Sequence, residues 1–289
     1  MSNHVNAENI FRNGSQTFYN STRFFPKLIR AQITDLYAFV RIADYYVDSS
    51  PQKPLEFALF KANLKLARTG VESTDSIVNT FVNLEAEAGF DPAWADAFLA
   101  SMELDLHKKS YQTYEETKDY CYGSAAVIGL FVTCLIGADK AAYPHAEALG
   151  NAFQLINFIR DIQEDQEILG RRYIPTEEMR SFGLSDLNEV ITRAHPKAFQ
   201  DLIALQIRRY QTEQAIGIQG LHYLPRRVQT AIKTAADMYD WTGKQILKDP
   251  FIIYKLQVKP SKTRILSTGL RHMLFLAFIQ KDKQAVFTK

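Results

Sequence analysis

The chain has 289 residues, a formal net charge of +2, and 46% hydrophobic against 23% charged residues. This composition is ordinary for a globular protein and excludes an intrinsically disordered chain. The near balance of charge, without a block rich in lysine and arginine, excludes nucleic acid as a partner. Cys121 and Cys134 lie in an apolar helical run and are predicted to be reduced core residues. No CxxC or HxxxH pattern occurs, so no zinc site is predicted.

The first informative helix ends in a pair of aspartates, Asp44 and Asp48. Their spacing of four residues places both carboxylates on one face of a helix. Arg41 precedes the pair by three residues, and the opposite face of the helix is apolar. We therefore expect that face to pack into a core. It consists of Leu36, Phe39, Val40, Ala43 and Val47.

Helix signals dominate the rest of the chain, and strand signals are nearly absent. Asp91 followed by Pro92 is a helix cap with proline at the first helical position, and Thr113 with Glu116 is a capping box. With the other start and stop signals, these predict helices near 54–68, 74–88, 92–108, 113–137, 144–170, 197–216 and 225–248. No repeat, low-complexity tract or linker interrupts them, so residues 1–289 are predicted to form one all-α domain.

The helix predicted from Pro144 to Gly170 carries a second acidic motif, in which Asn157, Asp161 and Asp165 recur at intervals of four. Two carboxylates one turn apart repel each other, and they are costly to bury unless a cation lies between them. Oxygen ligands of this kind suit Mg²⁺, with Mn²⁺ as an alternative.

A lone pair of aspartates is commonly a solvated acidic face, but here the motif occurs twice. Each pair also has an arginine close before it, Arg41 in the first motif and Arg160 in the second. Metal carboxylates beside direct phosphate contacts are the arrangement that a diphosphate site requires. We therefore expect the two helices to face each other at the mouth of a metal-lined cavity.

Membrane and targeting signals are weak. No stretch approaches the ~20 apolar residues of a membrane span, and residues 1–13 are polar and of mixed charge, unlike a signal peptide. A cytoplasmic location is expected. The most apolar run, Met273–Ile279, is predicted to belong to a last helix packed on the core. Its basic flanks favour an alternative, a peripheral contact with a membrane surface; they are Arg271, His272, Lys281 and Lys283.

The two aspartate helices belong to a larger pattern, whose strongest part is the segment Gln154–Pro175. The other parts are Ser15–Tyr19 with Pro26 and Arg30, Tyr37–Asp48, Phe98–Leu106, Tyr120–Gly129 and Tyr239–Arg271. Together they resemble the trans-isoprenoid head-to-head synthases, the family of squalene, dehydrosqualene and phytoene synthases. The tail, with Asp249-Pro250-Phe251 and Val258–Ser261, looks more like prokaryotic phytoene synthases than squalene synthases.

The resemblance implies an all-α isoprenoid synthase fold, with helices around a central apolar cavity and the two aspartate-rich helices facing each other. It also implies a Mg²⁺-dependent prenyltransferase that joins two prenyl diphosphates head to head through a cyclopropylcarbinyl diphosphate. The expected substrate is geranylgeranyl diphosphate and the expected product phytoene, formed without NADPH. The sequence has no GxGxxG fingerprint, but squalene synthases lack one too, so its absence decides nothing.

Residue roles follow by position from the same resemblance. The implied metal ligands are Asp44, Asp48, Asp161 and Asp165. The implied substrate contacts are Ser15, Thr17, Arg41, Gln154, Asn157, Arg160 and Lys255. The implied catalytic residues are Tyr37, Arg41, Tyr122, Arg160, Tyr173 and Tyr239. The candidate cavity walls, for each of which plain core packing is the more frequent role, are Phe18, Phe39, Val127, Leu130, Phe131, Cys134, Leu135 and Phe153.

One position departs from the family pattern, because Tyr45 stands where a second acidic residue is usual. We expect activity to be kept, with a weaker or altered metal site on that side. Two alternatives stay open. The first is an enzyme of the same fold that uses farnesyl diphosphate and makes squalene or dehydrosqualene. The second is a non-catalytic assembly-factor relative, which the presence of both aspartate pairs, both arginines and Tyr173 disfavours.

Overall fold

The computed structural model of the protein describes residues 7–12 and 16–287, and the side chains of 7–12 and 19–275 within them. Within these ranges β-structure is limited to an isolated bridge between Ser110 and Arg172. The helices are α1 (7–12), α2 (Gln16–Ser21), α3 (Lys27–Asp48), α4 (Pro54–Arg68), α5 (Ser76–Ala88), α6 (Pro92–Leu104), α7 (Tyr114–Cys121), α8 (Val127–Leu135), α9 (Tyr143–Arg160), α10 (Ile162–Glu167), α11 (Thr176–Ser181), α12 (Glu189–Ala194), α13 (Pro196–Gln219), α14 (Arg226–Lys248) and α15 (Lys262–Phe287).

The predicted all-α fold is confirmed, and four predicted helices match α4, α5, α13 and α14 within three residues at each end. The predicted caps also form. The Asp91 carboxylate accepts a hydrogen bond from the Ala93 N–H at 2.9 Å, and the Thr113 hydroxyl accepts one from the Glu116 N–H at 3.2 Å. Short polar caps are readable from sequence because they satisfy the backbone donors that a helix start leaves open.

Three longer predicted helices are wrong in extent. The helix predicted over 92–108 ends at Leu104, and a turn follows. The run predicted over 113–137 is interrupted by a π-helical turn, Tyr122–Ala126. The helix predicted over 144–170 divides at Asp161, whose φ of −101° and ψ of 13° separate α9 from α10. Each interruption lies beside the cavity described below, where packing and side-chain contacts override local helix preference.

Helix α9 lies at the centre of the fold, in contact with α8, α13 and α14. Glycines on and around it allow a close approach of backbones. A Cβ atom at Gly150 would lie 2.4 Å from the Ala125 carbonyl oxygen, and one at Gly129 would lie 2.4 Å from that of Ala146. No larger residue fits at such distances. These contacts set α9 directly against the π-helical turn and α8.

A crossing of two loops holds the segment after α10 in place. The Arg172 N–H donates to the Lys109 carbonyl at 2.9 Å, and the Thr176 N–H donates to the Tyr111 carbonyl at 2.9 Å. The Thr117 hydroxyl donates to the Tyr173 carbonyl at 3.0 Å. The segment around Arg171 and Tyr173 is therefore fixed against the turn that follows α6.

The last helix, α15, packs against α14 and α2. Its buried stripe is Ile265, Thr268 and His272. The run Met273–Ile279 belongs to this packed last helix, as predicted, but its first three residues are 47–62% exposed. The side chains of the others lie outside the described residues. Among the helices of the described chain, none is both long and apolar enough to cross a bilayer.

We expect Gly150→Ala to destabilise the protein, because the added methyl group would have to displace the backbone of the π-helical turn. Overpacking of this kind costs ~1–3 kcal/mol, and thermal unfolding followed by circular dichroism measures it. Gly243→Ala in α14 is the matched control. Its Cβ would meet only side-chain atoms at 3.4 Å or beyond, so the gain in helix propensity of ~1 kcal/mol should leave it neutral or stabilised. Equal melting temperatures for the two variants would contradict the close approach.

Candidate functional site

A cavity of about 680 Å³ runs alongside α9. The α9 residues that line it recur every three or four positions from His145 to Arg160, so they form one face of the helix. The face is apolar towards the N-terminus of α9 and polar towards Asp161. The lining residues of α9 are His145, Ala146, Leu149, Gly150, Phe153, Gln154, Asn157, Phe158 and Arg160.

Helix α3 contributes the polar wall opposite the end of α9. Tyr37, Arg41, Asp44 and Asp48 line the cavity, and their spacing of four, three and four residues places them on one helical face. The opposite face is held in the core through Leu36, Phe39, Ala43 and Val47, all at most 2% exposed. The predicted division of this helix into an apolar back and an acidic front is therefore present in the structure.

The second acidic motif meets the first at this end of the cavity. Asp161 and Asp165 also line it, and the Asp165 N–H donates to the Asp161 carbonyl at 2.8 Å, so the two side chains remain one turn apart across the bend. Burial raises the pKa of Asp165 well above its usual range, and the negative charges of Asp161 and Asp48 raise it further. Carboxylates from both motifs are therefore close enough to repel each other.

Arginines neutralise part of this negative charge. Arg41 forms an ion pair with Asp44, and Arg160 forms one with Asp161. Arg171, whose side chain is 2% exposed, donates to Asp48 at 2.6 Å. The neutralisation is incomplete, because burial and the charge of Asp48 raise the pKa of Asp44 to about 7. Asp44 keeps 31% of its side-chain surface exposed, so this carboxylate stays accessible from the cavity.

The donor set at this end fits Mg²⁺. The Asn157 Oδ1 atom is buried without a hydrogen-bond partner, and it stands one turn before Asp161 as a further hard oxygen donor. In the part of the chain that the structure describes, no three histidine, cysteine or acidic side chains converge as a closed metal cage. An open site of one or two carboxylates, completed by water and phosphate oxygens, is what Mg²⁺ prefers.

The tail of the chain contributes a lysine, but not the predicted one. Lys255 lies outside the cavity lining, with a side chain 58% exposed and 3.8 Å from Asp249. Lys259 lines the cavity instead. Its ammonium donates to Gln257 at 2.7 Å, and burial and the neighbouring Arg160 lower its pKa. Lys259 belongs to the segment Val258–Ser261 of the family pattern, and the structure places it, rather than Lys255, at the cavity.

Three of the four predicted tyrosines line the cavity, namely Tyr37, Tyr173 and Tyr239. Tyr122 does not, because it is 43% exposed on the π-helical turn. Tyr120 occupies the cavity wall in its place. Residues two positions apart on a helix point to nearly opposite sides, so only one tyrosine of the pair can face the cavity.

Most of the residues predicted to line the cavity belong to α8, and they lie on the side of that helix that packs into the core. Phe39, Val127, Leu130, Phe131 and Leu135 are buried in the core, and the Cys134 thiol contacts the Ala88 carbonyl at 3.3 Å. Of the predicted wall residues whose side chains the structure describes, Phe153 lines the cavity. The side chain of Phe18 lies outside the described residues. On the π-helical turn, on α8 and at the residue that follows α8, the lining residues are Ser124, Ala125, Ile128, Gly129, Val132, Thr133 and Ile136.

Three further residues singled out in the sequence, Ser15, Thr17 and Tyr45, are not placed at the cavity by the described structure. Ser15 lies outside the described residues, and Thr17 lies in α2 with its side chain outside them. Tyr45 is 44% exposed and lies outside the cavity lining, where its hydroxyl accepts a hydrogen bond from Lys53 at 2.7 Å. The geometry therefore gives no support to a metal site altered by Tyr45.

An aromatic wall adjoins the acidic end. The rings of Phe158 and Tyr173 stack with centroids 4.2 Å apart, and the Tyr120 ring lies 5.1 Å from that of Tyr173. Faces of such rings attract cations. Asp105, which the sequence analysis did not single out, lines the cavity beside this wall and accepts hydrogen bonds from both tyrosines.

Comparison with known proteins agrees with this geometry. The model of the squalene/phytoene synthase family matches residues 11–264. A 15-cis-phytoene synthase from Enterobacter agglomerans is 31% identical over 253 residues, which cover 81% of this chain and 83% of the relative. A phytoene synthase from Pseudescherichia vulneris is 30% identical over 255 residues, covering 83% and 81%.

Among solved structures, a dehydrosqualene synthase in complex with ligand superposes with a TM-score of 0.81, covering 96% of this chain and 97% of that one. At 22% sequence identity, this likeness bears on the fold alone. The resemblance read from the aspartate motifs is confirmed by the family match and by the sequence relatives. The chain belongs to the squalene/phytoene synthase family.

Proposed function

We propose that this protein joins two geranylgeranyl diphosphates head to head, through a cyclopropylcarbinyl diphosphate, to give phytoene. The observation that carries the proposal is the cavity along α9, which is acidic and arginine-lined at one end and apolar at the other. A diphosphate head with a long hydrocarbon tail matches both halves. The phytoene synthases among its sequence relatives support the same reaction.

The diphosphate end binds and orients the leaving group. When bound, Mg²⁺ would neutralise the charge that develops on the departing diphosphate, and Asp44, Asp48, Asp161 and Asp165, with Asn157, would hold it. Arg41, Arg160 and Lys259 line the same end and would contact phosphate oxygens directly. Gln154, one turn before Phe158 on the lining face of α9, lies between the polar and the apolar halves.

The rest of the cavity protects the carbocation that remains. Ionisation breaks the bond from C1 to oxygen, and the cation at C1 is attacked by the double bond of the second substrate. Proton loss closes the cyclopropane ring, and a second ionisation, rearrangement and proton loss give the triene. The aromatic wall of Tyr120, Phe158 and Tyr173 offers ring faces to these cations, and the apolar lining excludes the water that would capture them.

The length of the cavity supports the longer substrate. From His145 in α9 to Asp161 at its C-terminal end there are 16 residue steps, or about 24 Å at ~1.5 Å per residue. A geranylgeranyl chain has 16 carbons in its main chain and extends roughly 18 Å at ~1.2 Å per bond, against roughly 13 Å for farnesyl. The cavity can hold either tail, and each additional buried CH₂ favours the longer one by ~0.8 kcal/mol. No reductant is required for this product, so NADPH is not expected.

A peripheral membrane contact is part of the same proposal. One side of α15 carries Leu266, Leu270, Met273 and Leu274, all at least 36% exposed. Arg264 and Arg271 lie on the same helix. An apolar strip beside basic residues is suited to the surface of an anionic bilayer, where a product made of hydrocarbon alone would be released.

The identity of the hydrocarbon product, and whether its formation needs NADPH, distinguish the proposed reaction from its alternatives. Purified protein with Mg²⁺ should convert geranylgeranyl diphosphate into phytoene equally well with and without NADPH. It should use farnesyl diphosphate at least ~10-fold less efficiently, because less tail is buried. Extraction and chromatography measure both. Asp161→Asn is the negative control and should lose at least ~100-fold in turnover, since it removes charge where the leaving group develops it.

Three results would contradict the assignment at different levels. A C30 product alone from mixed substrates, or a strict need for NADPH, would replace the proposed substrate or product and leave the reaction type intact. Turnover of Asp161→Asn at the wild-type rate would remove the second motif from the site. No product from either substrate would favour a non-catalytic relative.

The raised pKa of Asp44 predicts how metal binding depends on pH. Its folded-state pKa of about 7 lies above its ordinary 3.8, so the metal-free protein loses this group's contribution to stability as pH rises between these values. Below pH 7, Mg²⁺ must displace the proton bound to the Asp44 carboxylate. Above pH 7, the carboxylate is already ionised and free to bind the ion. Mg²⁺ should therefore raise the melting temperature more at pH 8 than at pH 6, as measured by differential scanning fluorimetry.

Asp44→Asn should reduce this difference between the two pH values, while Asp165, whose pKa is also raised, keeps part of it. Asp201→Asn is the matched control, because Asp201 forms an ion pair with Lys197 on the surface of α13, 2.7 Å apart and away from the cavity. It should keep the full response to Mg²⁺. An equal Mg²⁺ shift at both pH values in the wild type would contradict a role for the Asp44 carboxylate.

A further inference from the structure

The apolar end of the cavity contains a histidine. His145 is the first residue of α9 that lines the cavity, and the two helix residues before it, Tyr143 and Pro144, do not. Leu221 and Leu224, which follow α13, line the same end. A polar ring therefore stands where the tip of a hydrocarbon tail would arrive.

The imidazole of His145 is fixed by a hydrogen bond to another helix. Its Nδ1 atom lies 2.8 Å from the Ile216 carbonyl oxygen. Because a carbonyl can only accept, Nδ1 carries the proton and donates it. Ile216 lies in the last turn of α13, where carbonyls lack partners within the helix. The hydrogen bond thus ties the start of α9 to the end of α13.

Two neighbours limit how far this side chain can move. The Tyr223 ring packs beside the imidazole, with centroids 5.9 Å apart. On another side, the backbone of Gly220 approaches so closely that an added Cβ would lie 2.4 Å from the His145 Cβ and 2.9 Å from its Cγ. The ring therefore has a fixed position at the end of the cavity.

The distance from the metal end to His145 matches the length of one prenyl tail. Asn157 and His145 are separated by 12 residue steps of α9, or about 18 Å at ~1.5 Å per residue. A geranylgeranyl chain extends roughly 18 Å, a farnesyl chain roughly 13 Å and a C25 prenyl chain roughly 23 Å, at ~1.2 Å per bond. The C20 tail would end against the imidazole, the C15 tail would leave a gap, and the C25 tail would collide with the ring.

We propose that His145 is a specificity-determining residue, whose imidazole ends the cavity and limits the tail to 20 carbons. The inference rests on the proposed function, because it places a prenyl tail along α9. A shorter tail is disfavoured only by the surface that it fails to bury. A longer tail must displace the ring, which leaves the Ile216 carbonyl without its donor. Selection against longer tails is therefore the stricter of the two.

Binding of unreactive substrate analogues tests this limit apart from turnover. Prenyl thiolodiphosphates with C15, C20 and C25 tails are titrated with Mg²⁺ into the wild type and His145→Ala, by isothermal titration calorimetry. The wild type should bind the C25 analogue at least ~10-fold more weakly than the C20 analogue. In His145→Ala the ratio of C25 to C20 affinity should rise at least ~10-fold, because the space of the ring becomes available to the last isoprene unit.

His222→Ala is the matched control. The His222 Nδ1–H also donates to a carbonyl at the end of α13, that of Gln219 at 2.6 Å, and its ring lies 3.8 Å from that of Tyr223. It does not line the cavity. His222→Ala should therefore keep the wild-type ratio of affinities.

His145→Trp should change the selectivity in the opposite direction. The Ile216 carbonyl and the Gly220 backbone occupy two sides of residue 145, so added bulk enters the cavity. The ratio of C20 to C15 affinity should fall at least ~10-fold. Opposite changes in the two variants would not arise from a general loss of structure, since a ratio of affinities does not depend on what fraction of a variant is folded.

The proposal is overturned if His145→Ala keeps the wild-type ratio of C25 to C20 affinity, or if His222→Ala changes this ratio as much. Equal affinity of the wild type for the C20 and C25 analogues would overturn it as well. If His145→Ala does not fold, the wild type and His145→Trp decide. Absence of any hydrocarbon product would instead contradict the proposed condensation and leave these affinities in place, so the two failures are distinguishable.

Discussion

The structure depends on keeping four carboxylates together at one end of a cavity. Asp44, Asp48, Asp161 and Asp165 come from two separate parts of the chain, and their mutual repulsion is visible in the raised pKa values of Asp44 and Asp165. Such a cluster persists only where cations offset it. Arg41, Arg160 and Arg171 do so in part, and the remaining negative charge is what a divalent ion and its diphosphate partner would use.

Helix α9 connects this charged end with the apolar end. One continuous face supplies Asn157 near the carboxylates, Phe153 in the middle and His145 at the far end, so the position of a substrate's head fixes where its tail lies. Glycines at 129 and 150 bring neighbouring backbones against the helix and remove the freedom to shift. The loop crossing at Ser110 and Arg172 then sets Arg171 and Tyr173 against the same end. Helix α9 and the segments held against it therefore determine where the charged end lies, how long the cavity is and how firmly its walls are fixed.

The sequence was sufficient to predict features that recur at a fixed interval along a helix or that mark where a helix begins. Intervals of four placed Asp44 with Asp48 and Asp161 with Asp165 on helix faces, and polar caps marked where helices begin. It was insufficient where a helix is apolar on all sides. Helix α8 has no polar face to show its orientation, so the buried face was mistaken for the cavity wall.

The remaining errors also have local causes. The π-helical turn changes which residues face the cavity, and Tyr120 rather than Tyr122 lines it. Lys259 lies in an irregular segment, where no helical period indicates which side chains face the cavity. The sequence analysis therefore selected Lys255. The place of Asp105 at the cavity could not be inferred from local pattern, because the tyrosines that donate hydrogen bonds to it are 15 and 68 residues away in the chain.

The central claim is that the two aspartate motifs together form a magnesium-dependent diphosphate site. Isothermal titration calorimetry with inorganic diphosphate tests it without any need for turnover or for the correct tail length. The account predicts binding in the presence of Mg²⁺ that weakens at least ~10-fold without it, because the carboxylates then repel the anion, and that is lost in Asp48→Asn combined with Asp165→Asn. Equal affinity for diphosphate with and without Mg²⁺, in both the parent protein and the double variant, would contradict it.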